Sequence, residues 1–250
     1  MKRVFLPWEI NHLRKYGFSE TDLDTIGTTP VEYITNHAQF RGLDFYVTPD
    51  CLIPRIETEK IIDICLRFIT NDRNRSSLVI ADVGCGSGAL GISLSRELNT
   101  MGIKNFHLIL SDISQAALNI AQKNSDSLIP WMKDRITFLK SDLLDAFPRD
   151  KKIDYLISNL PYIPTDRIST LDPSVKDHEP VSALDGGPDG TLLINRLLNK
   201  ASSLLKPNPL LVFEIDNEHK LSDFDIPTGF SASIEKDDFD QPRYLIITST

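Results

Sequence analysis

Short apolar runs alternate with helical stretches from Leu78 to near the end of the chain, and this pattern most constrains the fold. The predicted strands are residues 78–83, 106–111, 136–140, 153–158, 210–215 and 244–247, and the predicted helices between them include residues 89–98, 115–124 and 192–205. Such alternation indicates a mostly parallel sheet covered by helices on both faces. Ligands of these sheets bind beyond the carboxyl ends of the strands, so we expect functional residues there.

The turn after the first of these strands is rich in glycine. It reads Asp82-Val83-Gly84-Cys85-Gly86-Ser87-Gly88 and leads into a predicted helix. Gly84, Gly86 and Gly88 let the chain turn sharply and let its backbone approach a ligand closely. With Ala89 the spacing also satisfies G-x-G-x-x-A, the dinucleotide fingerprint, so the loop alone leaves the nucleotide open.

Three acidic residues stand at the ends of predicted strands. Asp112 is placed to accept both ribose hydroxyls of an adenosine ligand, although it or Ser114 also suits a helix N-cap. Asp142, after the next strand, is either an acceptor for an adenine amino group or a solvated loop acid. Asp82 is either a partner for the nitrogens of a methionine moiety or an internal partner for loop N–H groups. The glycine loop and Asp112 together match a nucleoside-binding pattern, which favours the ligand roles.

The tetrapeptide Asn159-Leu160-Pro161-Tyr162 follows the predicted strand at residues 153–158. A planar nitrogen is a poor nucleophile because its lone pair is delocalised, so a catalyst must hold its N–H groups in the geometry of attack. The side-chain oxygen of Asn159 and the carbonyl of Leu160 are suitable acceptors. Pro161 restricts Leu160 to extended backbone, and Tyr162 offers a flat face. The alternative is an ordinary exit from a strand into a loop.

The two motifs together favour S-adenosylmethionine over a nicotinamide cofactor. A nicotinamide ligand leaves residues 159–162 without a role and provides no evident proton donor for hydride chemistry. A methyl donor uses the glycine loop, the acids and the tetrapeptide.

The composition excludes several other classes of protein. A net charge of −8 argues against a broad grip on nucleic-acid phosphates. Cys51, Cys65 and Cys85 lack the spacing of a disulfide framework or a metal site, which fits a reducing compartment. Because no stretch resembles a membrane span or a signal peptide, we predict a cytoplasmic protein, or one of an organelle matrix.

The chain before Leu78 predicts a small extension. Residues 1–38 form a short helical region, with helices that open at Ser19 and Glu20 and at Thr29-Pro30. Residues 39–56 form a β-hairpin linker around Gly42, and residues 57–250, which begin with a helix over 57–68, form the catalytic domain.

The sequence resembles the HemK/PrmC protein-(glutamine-N5) methyltransferases, which modify the glutamine of the Gly-Gly-Gln motif in peptide-chain release factors. The likeness extends from about Thr29 to Arg243. Besides the glycine loop and the tetrapeptide it rests on residues 30–35, on residues 45–59 and on residues 179–190. The stretch Ile53-Pro54-Arg55 with Glu57-Thr58-Glu59 distinguishes this family from nucleic-acid adenine methyltransferases, which share the other motifs.

The resemblance implies a Rossmann-like, seven-stranded α/β methyltransferase fold, to which residues 1–38 add a short helical N-terminal extension. It implies S-adenosyl-L-methionine as cofactor and a release factor as protein partner, while the composition argues against a membrane and against nucleic acid as a partner. The residues that the resemblance implies in cofactor binding are Gly84, Cys85, Gly86, Ser87, Gly88, Asp112 and Leu143, with Asn159 near the methyl group. Asp82 and Asp142 are added to this set from their positions at the ends of predicted strands. Those implied in catalysis and in binding the glutamine are Asn159, Leu160, Pro161 and Tyr162.

The sequence also departs from the family pattern. Leu160 replaces a proline, Asp216 and Asp240 replace glycines, and His219 stands where the family tends to have glutamine. The N-terminal region is shorter than usual, so docking of the release factor is expected to be reduced or rearranged. Two alternatives stay open: an adenine-N6 methyltransferase on RNA or DNA, because Asn-Leu-Pro-Tyr also occurs in ribosomal-RNA adenine dimethylases, and a non-catalytic methyltransferase-like binding module.

Overall fold

The computed structural model describes residues 3–19, 26–71 and 77–250. Its helices are α1 (Pro7–Lys15), α2 (Val31–Thr35), α3 (Glu59–Asn71), α4 (Ala89–Thr100), α5 (Gln115–Leu128), α6 (Pro173–Lys176) and α7 (Leu192–Ala201). Its strands are β1 (His37–Phe40), β2 (Leu43–Tyr46), β3 (Leu78–Val83), β4 (Phe106–Asp112), β5 (Ile136–Lys140), β6 (Ile153–Ser158), β7 (Leu205–Glu214), β8 (Phe230–Lys236) and β9 (Pro242–Ser249). A helix was also predicted to start at Ser19 and Glu20. Ser19 is the last residue before the gap, and residues 20–25, which include Glu20, are outside the described residues.

Seven strands form one mixed sheet in the order β5-β4-β3-β6-β7-β9-β8. The first five are parallel, whereas β9 is antiparallel to both β7 and β8. Four of these parallel strands, β5, β4, β3 and β6, are neighbours, so their carboxyl ends form one continuous edge. The seven-stranded α/β architecture with a mostly parallel sheet, predicted from the sequence, is confirmed.

Side chains of the parallel strands alternate between two apolar layers, as the two-residue period of a strand requires. Ile80 and Leu108 belong to the layer that α3, α4 and α5 cover, whereas Ala81 and Ile109 belong to the layer that α7 covers. Both faces of the sheet are thus buried, which explains why these strands are nearly continuous apolar runs in the sequence.

Several predicted elements differ from the structure; the strand predicted from residue 210 begins at Leu205 as β7, and the helix predicted over residues 57–68 is α3, Glu59–Asn71. The helix predicted over residues 192–205 ends at Ala201, and the chain then makes a 3-10 turn over Ser202–Leu204 into β7. Pro207 disfavours helical backbone at Lys206, where the chain is already extended, and the 3-10 turn makes the transition from helix to strand. Strand β8 was not predicted, because it is a half-buried edge strand rather than an apolar run. Helix α1 begins at Pro7, a residue suited to the first helical turn, and was not bounded by the prediction.

The hairpin β1–β2 packs on the main core. Its turn is Arg41-Gly42, with both residues at positive φ, which is the two-residue turn that matches strand twist. Phe40 and Phe45 are buried in the same apolar cluster as α3 and α4. The side chain of Asn124 on α5 accepts from the backbone N–H of Tyr46 at 2.8 Å and donates to its carbonyl at 2.9 Å. Across the described ranges, no helix is both long and apolar enough to cross a membrane.

Candidate active site

A cavity of about 560 Å³ opens at the carboxyl edge of β3, β4, β5 and β6. The turn that follows each of these four strands lines it, as do the segment before α3 and the loop around Val181. Of the residues predicted for the site, those that line the cavity are Asp82, Gly84, Cys85, Gly86, Ser87, Asp112, Asp142, Leu143, Asn159, Leu160 and Pro161. Gly88 and Tyr162 are not among the described residues that line it.

The glycine loop has the conformation that its composition predicts. Gly84, Gly86 and Gly88 have φ values of 71°, 53° and 78°, in the left-handed region that side chains disfavour. A Cβ on Gly86 would find only the Cβ of Cys51, at 3.9 Å, so space is open above this residue. Gly88 instead packs inside the fold, because a Cβ there would approach Ile92 to 2.8 Å. Gly84 and Gly86 line the cavity, and Gly88 is the N-cap residue of α4.

Asp112 joins the turn after β4 to the glycine loop. One carboxylate oxygen accepts from the N–H of Gly86 at 2.9 Å, and the other accepts from the N–H of Ser114 at 2.8 Å. The helix N-cap is Ser114, whose hydroxyl accepts from the N–H of Ala117. Burial raises the pKa of Asp112. Each of its oxygens keeps a second lone pair, so both remain able to accept from a ligand.

Asp82 is almost completely buried at the end of β3 and borders the cavity. One carboxylate oxygen accepts from the N–H of Gly91 at 2.9 Å, which is the internal role considered from the sequence. Burial raises the pKa of Asp82 to about 7, and the charge of Asp112 acts in the same direction. A cation that approaches this carboxylate would favour its charged form, so the position suits an ammonium group.

The turn after β5 contributes Asp142 and Leu143. Asp142 pairs with Arg196 of α7 at 2.8 Å, and both side chains are about two-fifths exposed. Leu143 is buried and has a φ of 51°. A left-handed backbone costs a non-glycine residue about 1–2 kcal/mol, and such strain is common where the chain fits a ligand.

The amide of Asn159 is held in one orientation. Its Nδ2 donates to the hydroxyl of Thr58 at 2.9 Å, which leaves Oδ1 as its remaining acceptor. Leu160 is buried, and its Cδ2 would lie 3.0 Å from a Cβ on Gly84, so the tetrapeptide packs directly on the glycine loop. Asn159, Leu160 and Gly84 therefore form one continuous surface of the cavity.

Tyr162 has a different environment from the one predicted. Its hydroxyl donates to Oε1 of Glu214 at 2.8 Å, and Oε2 of Glu214 accepts from Thr58 at 2.6 Å. The structure therefore places Tyr162 behind the cavity, where the same carboxylate also binds Thr58. Sequence reasoning assigned no role to Thr58 or Glu214, although Thr58 lies in the segment 53–59 that distinguishes the family and Glu214 ends a predicted strand.

The glycine-rich loop over residues 184–190 supports the tetrapeptide from behind. Ile163 donates to the carbonyl of Leu184 at 3.1 Å, and Gly186 donates back to the carbonyl of Ile163 at 2.9 Å. A Cβ on Gly186 would lie 2.7 Å from the Cα of Tyr162, and one on Gly190 would overlap the carbonyl oxygen of Tyr162. The two backbones can meet this closely only because both positions are glycine.

The residues that depart from the family pattern have structural partners. Asp216 pairs with Arg167 at 3.0 Å and accepts from the N–H of Glu218 at 3.0 Å. His219 accepts from the N–H of Asp216 at its Nδ1, and its Nε2 lies 3.0 Å from the carbonyl oxygen of Asp189. Asp240 has a φ of 62°, a backbone conformation that favours glycine.

Sequence comparisons find a matching family model and similar enzymes. The family model described as a methyltransferase domain matches residues 74–239. A release factor glutamine methyltransferase of Bacillus anthracis is 35% identical over 208 residues, which are 83% of this chain and 70% of that protein. The enzyme of the same name from Moorella thermoacetica is 41% identical over 189 residues, which are 76% of this chain and 62% of that protein.

A solved structure shares the fold at low sequence identity. The hMettl16 catalytic domain, in complex with the MAT2A 3′UTR hairpin 6, superposes with a TM-score of 0.60 at 13% identity and covers 83% of this chain and 76% of its own. This likeness concerns the fold alone. The sequence identities, and the coverage of more than two thirds of the Bacillus anthracis protein, show that the chain belongs to the release factor glutamine methyltransferase family.

Proposed function

We propose that the cavity at the carboxyl edge of β3–β6 holds S-adenosyl-L-methionine beside the target glutamine of a release factor. The chain is an S-adenosyl-L-methionine-dependent protein-glutamine methyltransferase that acts on the Gly-Gly-Gln glutamine of peptide-chain release factors. One observation supports this use of the cavity most strongly. The amide of Asn159 has its nitrogen bound to Thr58, so an oxygen acceptor is left at the edge of the glycine loop.

The residues of the cavity fit S-adenosyl-L-methionine. The open space over Gly86 admits a ligand against backbone, and Asp112 lies beside it with lone pairs for two ribose hydroxyls. Asp82 suits the ammonium of the methionine moiety, and we assign Asp142 and Leu143 to the adenine end. When bound, S-adenosyl-L-methionine supplies an electrophilic methyl group on a sulfonium sulfur.

The substrate amide is bound by two acceptors of the tetrapeptide. Oδ1 of Asn159 accepts one N–H of the glutamine and the carbonyl of Leu160 accepts the other, so the nitrogen lone pair is directed toward the cofactor side of the cavity. Pro161 keeps Leu160 extended and thereby fixes the direction of that carbonyl. Tyr162 acts from behind, through Glu214, rather than as a wall of the pocket.

The remaining parts of the chain are assigned to substrate docking. We propose that residues 57–250 are the catalytic domain, residues 39–56 a hairpin linker and residues 1–38 a short extension toward the release factor. The acidic net charge of −8 supports a protein partner rather than nucleic acid. Because release factors work at the ribosome, we place the reaction in the cytoplasm.

The test is mass spectrometry of a release factor after incubation with the protein and isotopically labelled S-adenosyl-L-methionine. We expect one added methyl group on the glutamine of the Gly-Gly-Gln motif. A release factor with that glutamine replaced by alanine is the control and should stay unlabelled. RNA and DNA are tested in parallel, and label on nucleic acid with none on the release factor would contradict the assignment.

A further inference from the structure

Glu214 lies behind the cavity and joins the end of β7 to two other segments, the one before α3 and the tetrapeptide. It is buried at the end of β7, and its two carboxylate oxygens accept from different donors. Oε2 accepts from the hydroxyl of Thr58 at 2.6 Å, and Oε1 accepts from the hydroxyl of Tyr162 at 2.8 Å. The hydroxyl of Thr58 in turn accepts from Nδ2 of Asn159 at 2.9 Å. A continuous chain of hydrogen bonds therefore runs from Glu214 through Thr58 to Asn159.

The direction of this chain follows from which groups can donate. Burial raises the pKa of Glu214, whereas the hydrogen bonds from Thr58 and Tyr162 and the charge of Arg243 favour its ionised form. With Glu214 ionised, its carboxylate only accepts, and a threonine hydroxyl has a single hydrogen. Because the hydrogen of Thr58 is given to Glu214, its oxygen can only accept from Asn159. Asn159 must then turn its NH₂ group toward Thr58 and its Oδ1 away from it. Without that constraint the two ends of the amide are nearly equal in shape, and either end could face the cavity.

We propose that Thr58 and Glu214 are positioning residues that set the polarity of the Asn159 amide, and thereby make the site select a substrate that donates N–H groups. This inference rests on the proposed function. Oδ1 of Asn159 then accepts a hydrogen bond from the NH₂ group of glutamine. It repels the carboxylate of glutamate, which has only acceptors. The hydroxyl of Tyr162 occupies the other oxygen of Glu214 and so keeps the carboxylate directed at Thr58.

The experiment measures methylation of a release factor by Thr58→Val, Thr58→Ser and Glu214→Gln. Thr58→Val keeps the shape of the side chain and removes the hydroxyl, and we expect kcat to fall on the order of tenfold to a hundredfold. In Glu214→Gln the new side chain can either donate a hydrogen bond to Thr58 or accept one from it, so the Asn159 amide is no longer fixed. We expect kcat to fall in the same range. Thr58→Ser restores the hydroxyl and should restore most of kcat. The affinity for S-adenosyl-L-methionine should stay close to that of the wild type in all three variants.

Thr70→Val is the matched control. Thr70 lies on α3, and its hydroxyl donates to helix carbonyls, those of Leu66 and Arg67. Its replacement removes a hydroxyl of the same kind without touching the site, so kcat should be unchanged.

A second measurement separates polarity from simple structural support. The dissociation constants of the unmodified release factor and of one carrying glutamate in place of the glutamine are compared for each variant. In Thr58→Val the amide of Asn159 is free to turn its NH₂ toward the cavity. The ratio of the dissociation constant of the glutamate form to that of the glutamine form should therefore fall by roughly tenfold. Loss of structural support alone would weaken both complexes together and leave their ratio unchanged, which would overturn the proposal.

The outcomes distinguish this inference from the function on which it rests. A wild-type protein that leaves the release factor unmethylated overturns both. A wild-type protein that methylates it, with a folded Thr58→Val variant equal to wild type in kcat and in the glutamine preference, overturns the polarity role alone. Glu214→Gln serves the same test if Thr58→Val does not fold.

Discussion

Replacement of Gly190 by alanine should damage catalysis without any change in a residue that lines the cavity. Gly190 has a φ of 80°, and an added Cβ would overlap the carbonyl oxygen of Tyr162 and lie 3.0 Å from Nε2 of His219. Because the obstacle is backbone, it cannot rotate aside as a side chain would. The tetrapeptide must therefore move, or the loop over residues 184–190 must detach from it.

Two costs contribute to the expected magnitude. The left-handed backbone alone costs an alanine about 1–2 kcal/mol of folding stability. The overlap with Tyr162 requires a backbone shift of about 1 Å close to Asn159, and a misplacement of that size at a catalytic group can lower the rate on the order of 10²-fold. We expect a loss of this order in kcat, together with a decrease in melting temperature.

Gly102→Ala is the matched control. Gly102 has a φ of 79°, almost the same as that of Gly190, and a Cβ there would meet no heavy atom within 4 Å. It should therefore show the backbone cost in thermal unfolding and leave kcat unchanged. The assay is release-factor methylation at saturating S-adenosyl-L-methionine, compared with the melting temperature of each variant. Equal kcat values for Gly190→Ala and Gly102→Ala would refute the inferred support of the tetrapeptide by this loop.

Three further predictions concern the cavity itself. Asn159→Ala should lower turnover on the order of 10²–10³-fold in single-turnover assays, because it removes one aimed acceptor, with little change in cofactor affinity by calorimetry. Leu160→Pro should keep methylation, because the carbonyl acceptor remains, while chemical denaturation shows about 1–2 kcal/mol lower stability from the smaller buried side chain. The raised pKa of Asp82, about 7, means that the free protein loses this group's stabilising contribution as pH rises through 7, whereas a bound ammonium favours the carboxylate. Cofactor affinity measured by calorimetry should therefore weaken by up to about tenfold per unit as pH falls below about 7, and Asp82→Asn should remove that dependence.

The outline of the fold was predictable because buried parallel strands have a distinct sequence pattern. Strands β3 and β6 match their predicted bounds, since they lie inside the sheet with both faces covered and their sequences are mainly apolar. Strand β5 also matches, although it is a half-buried edge strand, because Ile136, Thr137 and Phe138 are residue types enriched in strands. Strand β8 lacks that pattern because one face of it is exposed. The motif residues at the strand exits could also be predicted, because a parallel sheet brings such exits to one edge.

The supports behind the site could not be predicted in the same way. Thr58 and Glu214 are 156 positions apart in the chain, and only the three-dimensional fold brings the two side chains together. Their residue types are also common in ordinary turns and strand ends. The hydrogen bond of Tyr162 could not be predicted for the same reason, because its partner Glu214 belongs to a distant strand.

Two of the residues that depart from the family pattern, Asp216 and His219, brace the back of the site, whereas a third, Leu160, lines the cavity. Asp216 follows Glu214 by two positions and is tied to Arg167, while His219 joins the same turn to the carbonyl of Asp189. The residue after Asp189 is Gly190, which presses on the carbonyl of Tyr162. The two replacements therefore connect the turn that carries Glu214 with the loop that supports the tetrapeptide. Because neither side chain lines the cavity, the choice of glutamine depends on the family residues that remain, and these replacements affect how firmly those residues are held.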